Sequence, residues 1–365
     1  MLNSSIFYEL FCDTDTGKEF NSFLVVNHNE QRNVYSQIAS KLGIPEGRVT
    51  KPTSFINNHK GGLVADVVFI DEAHLLLTQG NQGYSGKNQL KDILKHAKVV
   101  VAMFDRNQVL TTEQIWEYDT LNHYIDDAKA NDNYIQLKTQ MRMQASEDVI
   151  KWIDDFTKND VIGRIPRDKS YRISVLESIE ELESNIEKLA NNKNTSLSRM
   201  IATYDWEYVG GGKHNRDKVW SVQIGEWERP WNYQTNNKSN SKLAWAEQPH
   251  TIKEVGSTYT IQGFDLNYAG VILGPSIKFR NGKIIHDLDA SCNRKATQSR
   301  TLSDGKKEKF GIELLKHEVR VLMTRGVNGL YIYACDDELR KELLKAQSSI
   351  WTDNNSYSLA AHIKI

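Results

Sequence analysis

Two adjacent carboxylates follow a short apolar run early in the chain. The run Val67–Ile70 leads directly into Asp71 and Glu72, the first two residues of the tetrad DEAH. A buried strand with this ending places both acids at its tip. In a nucleotide cleft, Asp71 would hold a Mg²⁺-bound water and Glu72 would orient the water that attacks the γ-phosphate. The segment has the DEAH form of a Walker B element and indicates an NTPase. The alternative is a buried strand that ends in a solvated acidic turn.

Five further segments place polar side chains beside apolar runs or a glycine. In chain order they are 23–32, with Asn27 and Arg32; 99–108, with Gln108; 137–142, with Arg142; 257–265, with Ser257, Tyr259, Gln262, Gly263 and Asp265; and 319–326, with Thr324 and Arg325. An amide both donates and accepts hydrogen bonds, and a guanidinium is planar and permanently charged, so both suit phosphate recognition. Taken singly, the segments are also compatible with plain strand–helix units, a strand–turn–strand, a surface arginine and a helix-capping arginine.

The order of these segments resembles that of superfamily 1 helicases. Within them it resembles the Schlafen-group DNA/RNA helicase domain family of bacterial P-loop proteins, over about residues 23–346. The resemblance implies two RecA-like lobes with ATP and Mg²⁺ between them. It also implies that a strand of single-stranded DNA or RNA crosses their outer surface.

The resemblance assigns roles to individual residues. It implies catalytic roles for Asp71, which would also serve the metal, and for Glu72, Gln108, Arg142 and Arg325, the last as an arginine finger. It implies nucleotide contacts for Gln262, Gly263, Asp265 and Thr324, and nucleic-acid contacts for Asn27, Arg32, Ser257 and Tyr259. Tyr259 stands where many members carry histidine, and Asp265 stands where glutamate is usual, so the reach of both side chains differs from the family pattern.

A phosphate-binding loop of the form GxxxxGK[ST] is not recognisable. The best candidate, Cys12–Glu19, has Cys12 at the first glycine position and Glu19 at the hydroxyl position. Asp13 and Asp15 would repel phosphate, and too few residues separate Lys18 from the next strand for a helix to form. We expect a truncated gene product, one half of a split protein whose partner chain carries the loop, or a degenerate member. Because the other motif residues are present, we favour the first two.

The overall sequence pattern predicts an α/β protein with two lobes. A length of 365 residues suits two domains, and short apolar runs alternate with helix-period segments, as in a mostly parallel sheet covered by helices. We predict a first lobe at 1–144 and a second at 145–365. Strands are expected at 23–26, 67–70, 99–104, 134–137, 171–175, 200–203, 269–273 and 330–333, and helices near 30–42, 86–97, 120–130, 146–156, 178–191, 311–323 and 336–346. Residues 205–250 hold five tryptophans and are expected to form an irregular insertion, in which packing is favoured over base stacking.

Composition sets limits on location and on rival functions. The formal net charge of −1 gives no global attraction to polyanions, the three cysteines form no CxxC pair, and the apolar runs are too short to cross a membrane. We expect a reduced cytoplasmic protein without a secretory signal. The alternative to an NTPase is a non-catalytic nucleic-acid- or protein-binding module with the same fold. A nuclease is disfavoured, because the sequence shows no separate acid-rich motif.

Overall fold

The computed structural model describes residues 2–12, 21–62, 64–81, 83–137, 142–209, 219–232 and 243–352. The chain divides into two compact units. The first comprises Met1–Lys138 with Gln298–Phe310, and the second comprises Thr139–Thr297 with Gly311–Ile365. The first unit therefore ends before the predicted boundary at residue 144. It also includes a segment from late in the chain that the sequence pattern did not indicate.

Helices and strands alternate along most of the chain. The strands are β1 (Ser22–Val26), β2 (Val49–Thr50), β3 (Ala65–Asp71), β4 (Ala97–Ala102), β5 (Arg172–Val175), β6 (Arg199–Ala202), β7 (Ser221–Ile224), β8 (Trp227–Pro230), β9 (Val255–Ser257), β10 (Leu266–Leu273), β11 (Ile277–Arg280), β12 (Lys283–His286), β13 (Ser299–Thr301), β14 (Lys307–Lys309) and β15 (Gly326–Ala334). The helices are α1 (Leu2–Cys12), α2 (Asn29–Lys41), α3 (Pro52–Asn58), α4 (Gln89–Leu94), α5 (Tyr118–Ala130), α6 (Glu147–Asn159), α7 (Ile179–Ala190), α8 (Thr258–Ile261), α9 (Arg294–Thr297), α10 (Gly311–Met323) and α11 (Asp337–Thr352).

The first unit is built on a four-stranded sheet in the order β2-β1-β3-β4, and all its strand pairs are parallel. Parallel neighbours need crossover connections, which α2, α3 and α4 help to provide. The central strands β1 and β3 are almost entirely apolar, because both faces of a parallel sheet are covered. Val26 at the end of β1 pairs with Asp71 at the end of β3, so the polar residues that follow these strands share one edge.

The second unit contains a five-stranded parallel sheet in the order β5-β15-β10-β6-β9. Successive residues of a strand face opposite sides, and β10 shows this directly. Val271 packs in the core cluster with α6, α10 and α11, while Ile272 packs in the cluster with α7 and the β7–β8 hairpin. Helices or a hairpin therefore cover both faces of this sheet.

The predicted fold class, α/β with mostly parallel sheets in two lobes, is confirmed. Seven of the eight predicted strands and all the predicted helices are present within a few residues of the expected positions. The strand predicted at Tyr134–Leu137 is wrong, since this segment lies outside any strand and Ile135 is 85% exposed. The helix predicted near 146–156 is α6, and Ser146, which precedes it, makes no capping hydrogen bond with its side chain. None of the helices among the described residues is long and apolar enough to cross a bilayer.

The tryptophan-rich insertion packs into the protein, as the sequence analysis favoured. Trp220, Trp227 and Trp231 are buried in the cluster beside α7, and Trp245 is buried in the cluster on the other face of the sheet. Trp206 is half-buried and meets Trp231 edge to face. The described part of the insertion is more regular than predicted, because it contains the β7–β8 hairpin.

Candidate functional site

Asp71 ends β3 in a nearly buried position, with 4% of its surface exposed. Its Oδ2 accepts two hydrogen bonds from α2, one from the Tyr35 hydroxyl at 2.6 Å and one from Gln31 Nε2 at 3.0 Å. Gln31 and Tyr35 lie four residues apart and therefore on one face of the helix. Burial, and then the nearby charge of Asp71, raise the pKa of Tyr8 to about 12. Gln31 and Tyr35 are not among the residues predicted from the sequence, although a polar pair at helical spacing after β1 is a usable signal.

Glu72 has a backbone conformation that is uncommon for a residue with a side chain. Its φ of 53° and ψ of 52° lie in the left-handed region, immediately before a short 3-10 helix at Ala73–Leu75. This conformation costs roughly 1–2 kcal/mol for an L-residue and tends to be retained at functional sites. The turn directs the chain away from β3 and leaves the Glu72 carboxylate partly exposed, at 17%.

His74 connects this turn to the end of β4. The backbone N–H of Asp105 donates to Nδ1 of His74 over 3.4 Å, so Nε2 is the ring nitrogen that carries hydrogen in the neutral form. Nε2 lies 3.2 Å from Glu72 Oε2, and the ring is fully buried. The histidine of the DEAH tetrad therefore lies against Glu72 and accepts a hydrogen bond from the segment that holds Gln108.

Gln108 lies in a short 3-10 helix just beyond β4. Its Nε2 donates to Asp105 Oδ2 at 2.9 Å, and Asp105 Oδ1 accepts from the backbone N–H of Asn107 at 2.9 Å. Burial alone would raise the pKa of Asp105, but these hydrogen bonds outweigh it and lower the pKa. The structure thus places an ionised Asp105 and the amide of Gln108 beside the turn that follows β3.

Asn27 follows β1 at the same edge of the sheet. Its Nδ2 donates to the backbone carbonyl of Leu75 at 2.5 Å, so it fixes the turn after Glu72. Arg32 lies in the first turns of α2 and is half-buried. Of the residues predicted in the first unit, Asn27, Asp71, Glu72 and Gln108 follow three adjacent strands of the sheet. The predicted nucleic-acid contacts of Asn27 and Arg32 stay predictions.

Arg142 and Asp265 form an ion pair within the second unit. Arg142 Nε lies 2.6 Å from Asp265 Oδ1, and the two side chains are 27% and 33% exposed. Gly263, just before Asp265, has a φ of 78°, a conformation that glycine adopts at little cost. Gln262 follows α8 and is buried, and its backbone N–H donates to the carbonyl of Thr258, the first residue of that helix. The segment 257–265, for which a strand–turn–strand was the alternative interpretation, therefore begins at the end of a strand and continues as a short helix and a glycine turn.

Arg325 is fully buried at the end of α10. Its Nε donates to the Val321 carbonyl at 2.9 Å, and its own carbonyl accepts from the backbone N–H of Leu266 at 2.9 Å. Thr324 Oγ1 donates to the Arg320 carbonyl at 2.8 Å. The segments with Gly263 and Arg325 are therefore adjacent, but in the described conformation the Arg325 side chain lies inside the second unit.

Ser257 and Tyr259 are held by side chains of the same unit. Ser257 is fully buried and donates to Asn232 Oδ1 at 2.5 Å, while the Tyr259 hydroxyl donates to Asn293 Oδ1 at 3.0 Å. The Tyr259 ring also meets Tyr204 edge to face, at 5.5 Å between centroids. These contacts favour a structural role for Ser257, and the nucleic-acid role predicted for both residues stays a prediction.

Glu318, a buried acid on α10, contacts the segment that contains Ser257 and Tyr259. Glu318 is 1% exposed, and its Oε1 accepts from the backbone N–H of Tyr204 at 2.9 Å and from Thr258 Oγ1 at 3.3 Å. Burial, and secondly the charge of Asp205, raise the pKa of Glu318 to about 8. Burial also raises the pKa of Asp205 to about 6. The signal that the sequence analysis missed was an acid within the apolar stripe of an amphipathic helix.

Two predicted features fall outside the described residues. They are the rejected phosphate-loop candidate at 12–19, apart from the backbone of Cys12, and residues 138–141 before Arg142. Among the residues that the structure does describe, no group of three or more His, Cys, Asp or Glu side chains could hold a metal ion. At the edge of the first sheet where β3 ends, Asp71 is an oxygen ligand of the kind that Mg²⁺ takes in proteins.

Comparison with known proteins identifies a family and a similar yeast protein. The sequence matches the family described as Schlafen group 3, DNA/RNA helicase domain, over residues 1–336. It is 32% identical over 352 residues to the uncharacterized protein YPL245W of Saccharomyces cerevisiae, a match that covers 89% of this chain and 75% of the yeast protein. Among solved structures, a DEAD box protein from the hyperthermophile Methanococcus jannaschii is 13% identical over 95% of this chain and 83% of that chain. Its TM-score of 0.29 is too low to inform the fold.

Proposed function

Because the chain belongs to the Schlafen group 3 DNA/RNA helicase domain family, we propose that it is the core of a helicase-like NTPase that acts on single-stranded nucleic acid. The observation that carries the proposal is the clustering of Asp71, Glu72, Asp105 and Asn27 just beyond the carboxyl ends of three adjacent parallel strands. In open parallel sheets, ligands bind outside the carboxyl ends of the strands.

Asp71 suits the role of a Mg²⁺ ligand. The two hydrogen bonds to its Oδ2 come from neutral donors, Tyr35 and Gln31, so the carboxylate charge stays available for a hard cation. These donors also fix the carboxylate against α2, so its position is set before any ligand arrives. Mg²⁺, when bound with ATP, neutralises charge on the β- and γ-phosphates.

Glu72 suits the role of the residue that orients the attacking water. Its carboxylate is partly exposed, and its left-handed backbone turns it away from the buried strand. His74 lies within 3.2 Å and restricts the carboxylate on one side. The Gln108 amide, already bonded to Asp105, would contact the γ-phosphate and change its partner when the phosphate leaves.

Hydrolysis also needs a group that cradles the β- and γ-phosphates. The residues of Cys12–Glu19 do not supply one, because Asp13 and Asp15 repel phosphate. We therefore propose that the loop comes from elsewhere, for example from a partner chain, and that this chain alone hydrolyses ATP weakly or not at all. Nucleotide binding is accordingly a better test than turnover.

The test is thermal unfolding of the full chain with and without Mg²⁺–ATP, followed by a hydrolysis assay with single-stranded DNA or RNA. We expect Mg²⁺–ATP to raise Tm in the wild type and in the control Glu46→Gln, an exposed acid in a loop. We expect Asp71→Asn to lose this increase. Equal Tm values with and without nucleotide, together with intact binding of single-stranded DNA or RNA, would contradict the proposed NTPase function.

A non-catalytic nucleic-acid- or protein-binding module is the second candidate. Two contacts favour it: Arg142 is paired with Asp265, and Arg325 is buried against its own helix, so neither guanidinium is presented to phosphate in the described conformation. The same thermal-unfolding test, with strand binding measured beside it, separates the candidates, because this module predicts strand binding and a Tm that are both unchanged by Mg²⁺–ATP.

A further inference from the structure

A β-hairpin from late in the chain belongs to the first unit. Strands β13 and β14 pair antiparallel, and Gln298–Phe310 groups with Met1–Lys138 although the flanking residues belong to the second unit. The turn is closed by hydrogen bonds between Leu302 and Lys306 and from Gly305 to Leu302, and Gly305 takes a φ of 85°. The hairpin is therefore a defined element with its own turn, attached to the first unit by side chains.

Arg300 is the main anchor of the hairpin. It is 4% exposed, and its Nη1 donates to Thr78 Oγ1 at 2.8 Å and to the Thr112 carbonyl at 2.9 Å, as well as to the Ile115 carbonyl. A guanidinium can satisfy several carbonyls at once because its donors are fixed in a plane. Arg300 thus ties the hairpin to the loop after the DEAH tetrad and to the loop after Gln108.

Two further contacts support this attachment. Gln298 Nε2 donates to Thr112 Oγ1 at 3.0 Å, and Ser303 donates to the Glu117 carboxylate from both its backbone N–H and its hydroxyl. The contacts lie at both ends of β13. Together with Arg300 they fix the inner face of the hairpin.

Strand alternation determines what the other face presents. Arg300 pairs with Glu308, so these two side chains share the inner face, on which Arg300 is buried and Glu308 is exposed. Ser299 pairs with Lys309 and Thr301 with Lys307, so all four face the opposite side, and all four are exposed. The outer face therefore consists of two lysines and two hydroxyl groups, while Lys306 at the turn is paired with Asp304 at 2.9 Å.

This composition suits a phosphate backbone. Of the charged residues in the segment 298–310, Arg300 is buried, and the exposed ones are three lysines and two acids, a net charge of +1 in a chain whose formal net charge is −1. Lysine and hydroxyl groups are common donors to phosphate oxygens. Lys307 and Lys309 are two residues apart, roughly 7 Å along a strand, so they can meet successive phosphates of an extended chain.

We propose that the outer face of the β13–β14 hairpin binds the sugar-phosphate backbone of a single-stranded nucleic acid, with Lys307 and Lys309 as its principal contacts. The inference rests on the proposed function and adds a contact surface that is independent of the nucleotide site. The contacts are to backbone, so binding by the hairpin is expected to be insensitive to base sequence.

The test compares the full-length wild type with Lys307→Gln/Lys309→Gln in binding to labelled single-stranded DNA and RNA over a range of salt concentrations. The matched control is Lys41→Gln/Lys95→Gln, which removes the same charge from exposed lysines of the first unit that lie where α2 and α4 end. Helices of this unit end before the next strand begins, so these lysines lie toward the opposite edge of the sheet.

We expect the hairpin variant to bind about tenfold more weakly at low salt, and the slope of log affinity against log salt to fall by about 1.4, from about 0.7 for each lost phosphate contact. The control should match the wild type. Equal binding by the hairpin variant and the wild type would overturn the inference while leaving the proposed function intact. A wild type that binds neither DNA nor RNA would overturn both.

A parallel assay with vesicles that contain phosphatidylserine separates nucleic acid from other polyanions. We expect no difference between the wild type and the hairpin variant in vesicle binding. Lysine-dependent binding to vesicles, with strand binding unchanged, would assign the hairpin to an anionic membrane surface instead and overturn the inference.

Discussion

The Tyr35 hydroxyl donates to Asp71 Oδ2 over 2.6 Å, from the helix that follows β1 to the acid that ends β3. Because β1 and β3 pair in parallel up to Val26 and Asp71, the start of α2 necessarily lies beside the end of β3. The arrangement places an uncharged donor against a carboxylate that we propose holds Mg²⁺. The position of Asp71 thus depends on α2 as well as on its own strand.

Tyr35→Phe is expected to destabilise the first unit by about 1–2 kcal/mol, because it leaves a nearly buried carboxylate oxygen with one donor fewer. Urea unfolding measures the loss. The control is Tyr8→Phe, whose hydroxyl donates to the Tyr35 carbonyl at 3.0 Å, and which is expected to cost less because a neutral acceptor is affected. The Tm increase with Mg²⁺–ATP should shrink in Tyr35→Phe and persist in Tyr8→Phe. An equal effect of the two substitutions would show that Tyr35 does not position Asp71.

The sequence predicts β3 and its acidic end well, because a strand covered on both faces needs a continuous apolar run whatever its neighbours are. The same reasoning fails at Tyr134–Leu137. An apolar run forms a strand only if another strand pairs with it. The pairing depends on residues far away in sequence, so the run alone does not reveal it. In the structure Ile135 and Leu137 are 85% and 62% exposed.

Some site residues can be predicted from their neighbours in sequence, whereas others are revealed only by contacts with distant parts of the chain. Asp71 and Glu72 can be predicted because they lie where an apolar strand ends, and Gln108 because it lies in the turn that follows the next apolar run. Arg300 looks like one basic residue among several in an exposed segment, and only its contacts with Thr78 and Thr112, far away in sequence, reveal it as a buried anchor. Glu318 is intermediate, since its place in an apolar helix stripe indicates burial but not its partners.

Glu318 should make stability fall as pH rises. Its folded pKa of about 8 lies above its ordinary value of 4.5, so between these pH values the folded state holds a proton that the unfolded state has lost. The stabilisation from this proton is full below pH 4.5 and is lost as pH rises through 8, at up to roughly 1.4 kcal/mol per pH unit. Asp205, with a pKa of about 6, adds to this dependence at the acidic end.

Urea unfolding at several pH values from 5 to 9 measures this dependence. Glu318→Gln cannot ionise and keeps an oxygen that can accept from Tyr204, so its stability should vary less with pH. Glu313→Gln, on the same helix with 51% of the side chain exposed, is the control and should follow the wild type. A wild type and a Glu318→Gln variant with parallel pH profiles would contradict the predicted proton uptake.

The ion pair between Arg142 and Asp265 should contribute little to stability. Both side chains are about a third exposed, so solvent screens the pair, and we expect a coupling energy of about 0.5 kcal/mol. A double-mutant cycle of Arg142→Ala and Asp265→Ala in urea unfolding measures it. If Arg142 also binds the nucleotide, Arg142→Ala should reduce the free energy of Mg²⁺–ATP binding by more than it reduces the free energy of unfolding. A coupling above about 2 kcal/mol with unchanged nucleotide binding would identify the pair as purely structural.

Arg300→Met should release the hairpin from the first unit. The substitution preserves much of the apolar stem but leaves the buried Thr112 carbonyl and the Thr78 hydroxyl without their charged donor, at a cost of about 3 kcal/mol. Burial lowers the pKa of Arg300, which shows that the protein retains this charge at a desolvation cost. Amide hydrogen exchange should become faster both in the hairpin segment 298–310 and in the loop that contains Thr112, because Arg300 connects the two segments.

The control Arg294→Met removes an exposed guanidinium from α9 and should change the exchange rate of neither segment. Faster exchange in the hairpin, with an unchanged exchange rate in the loop, would show that Arg300 fixes the hairpin but does not stabilise the segment that follows Gln108.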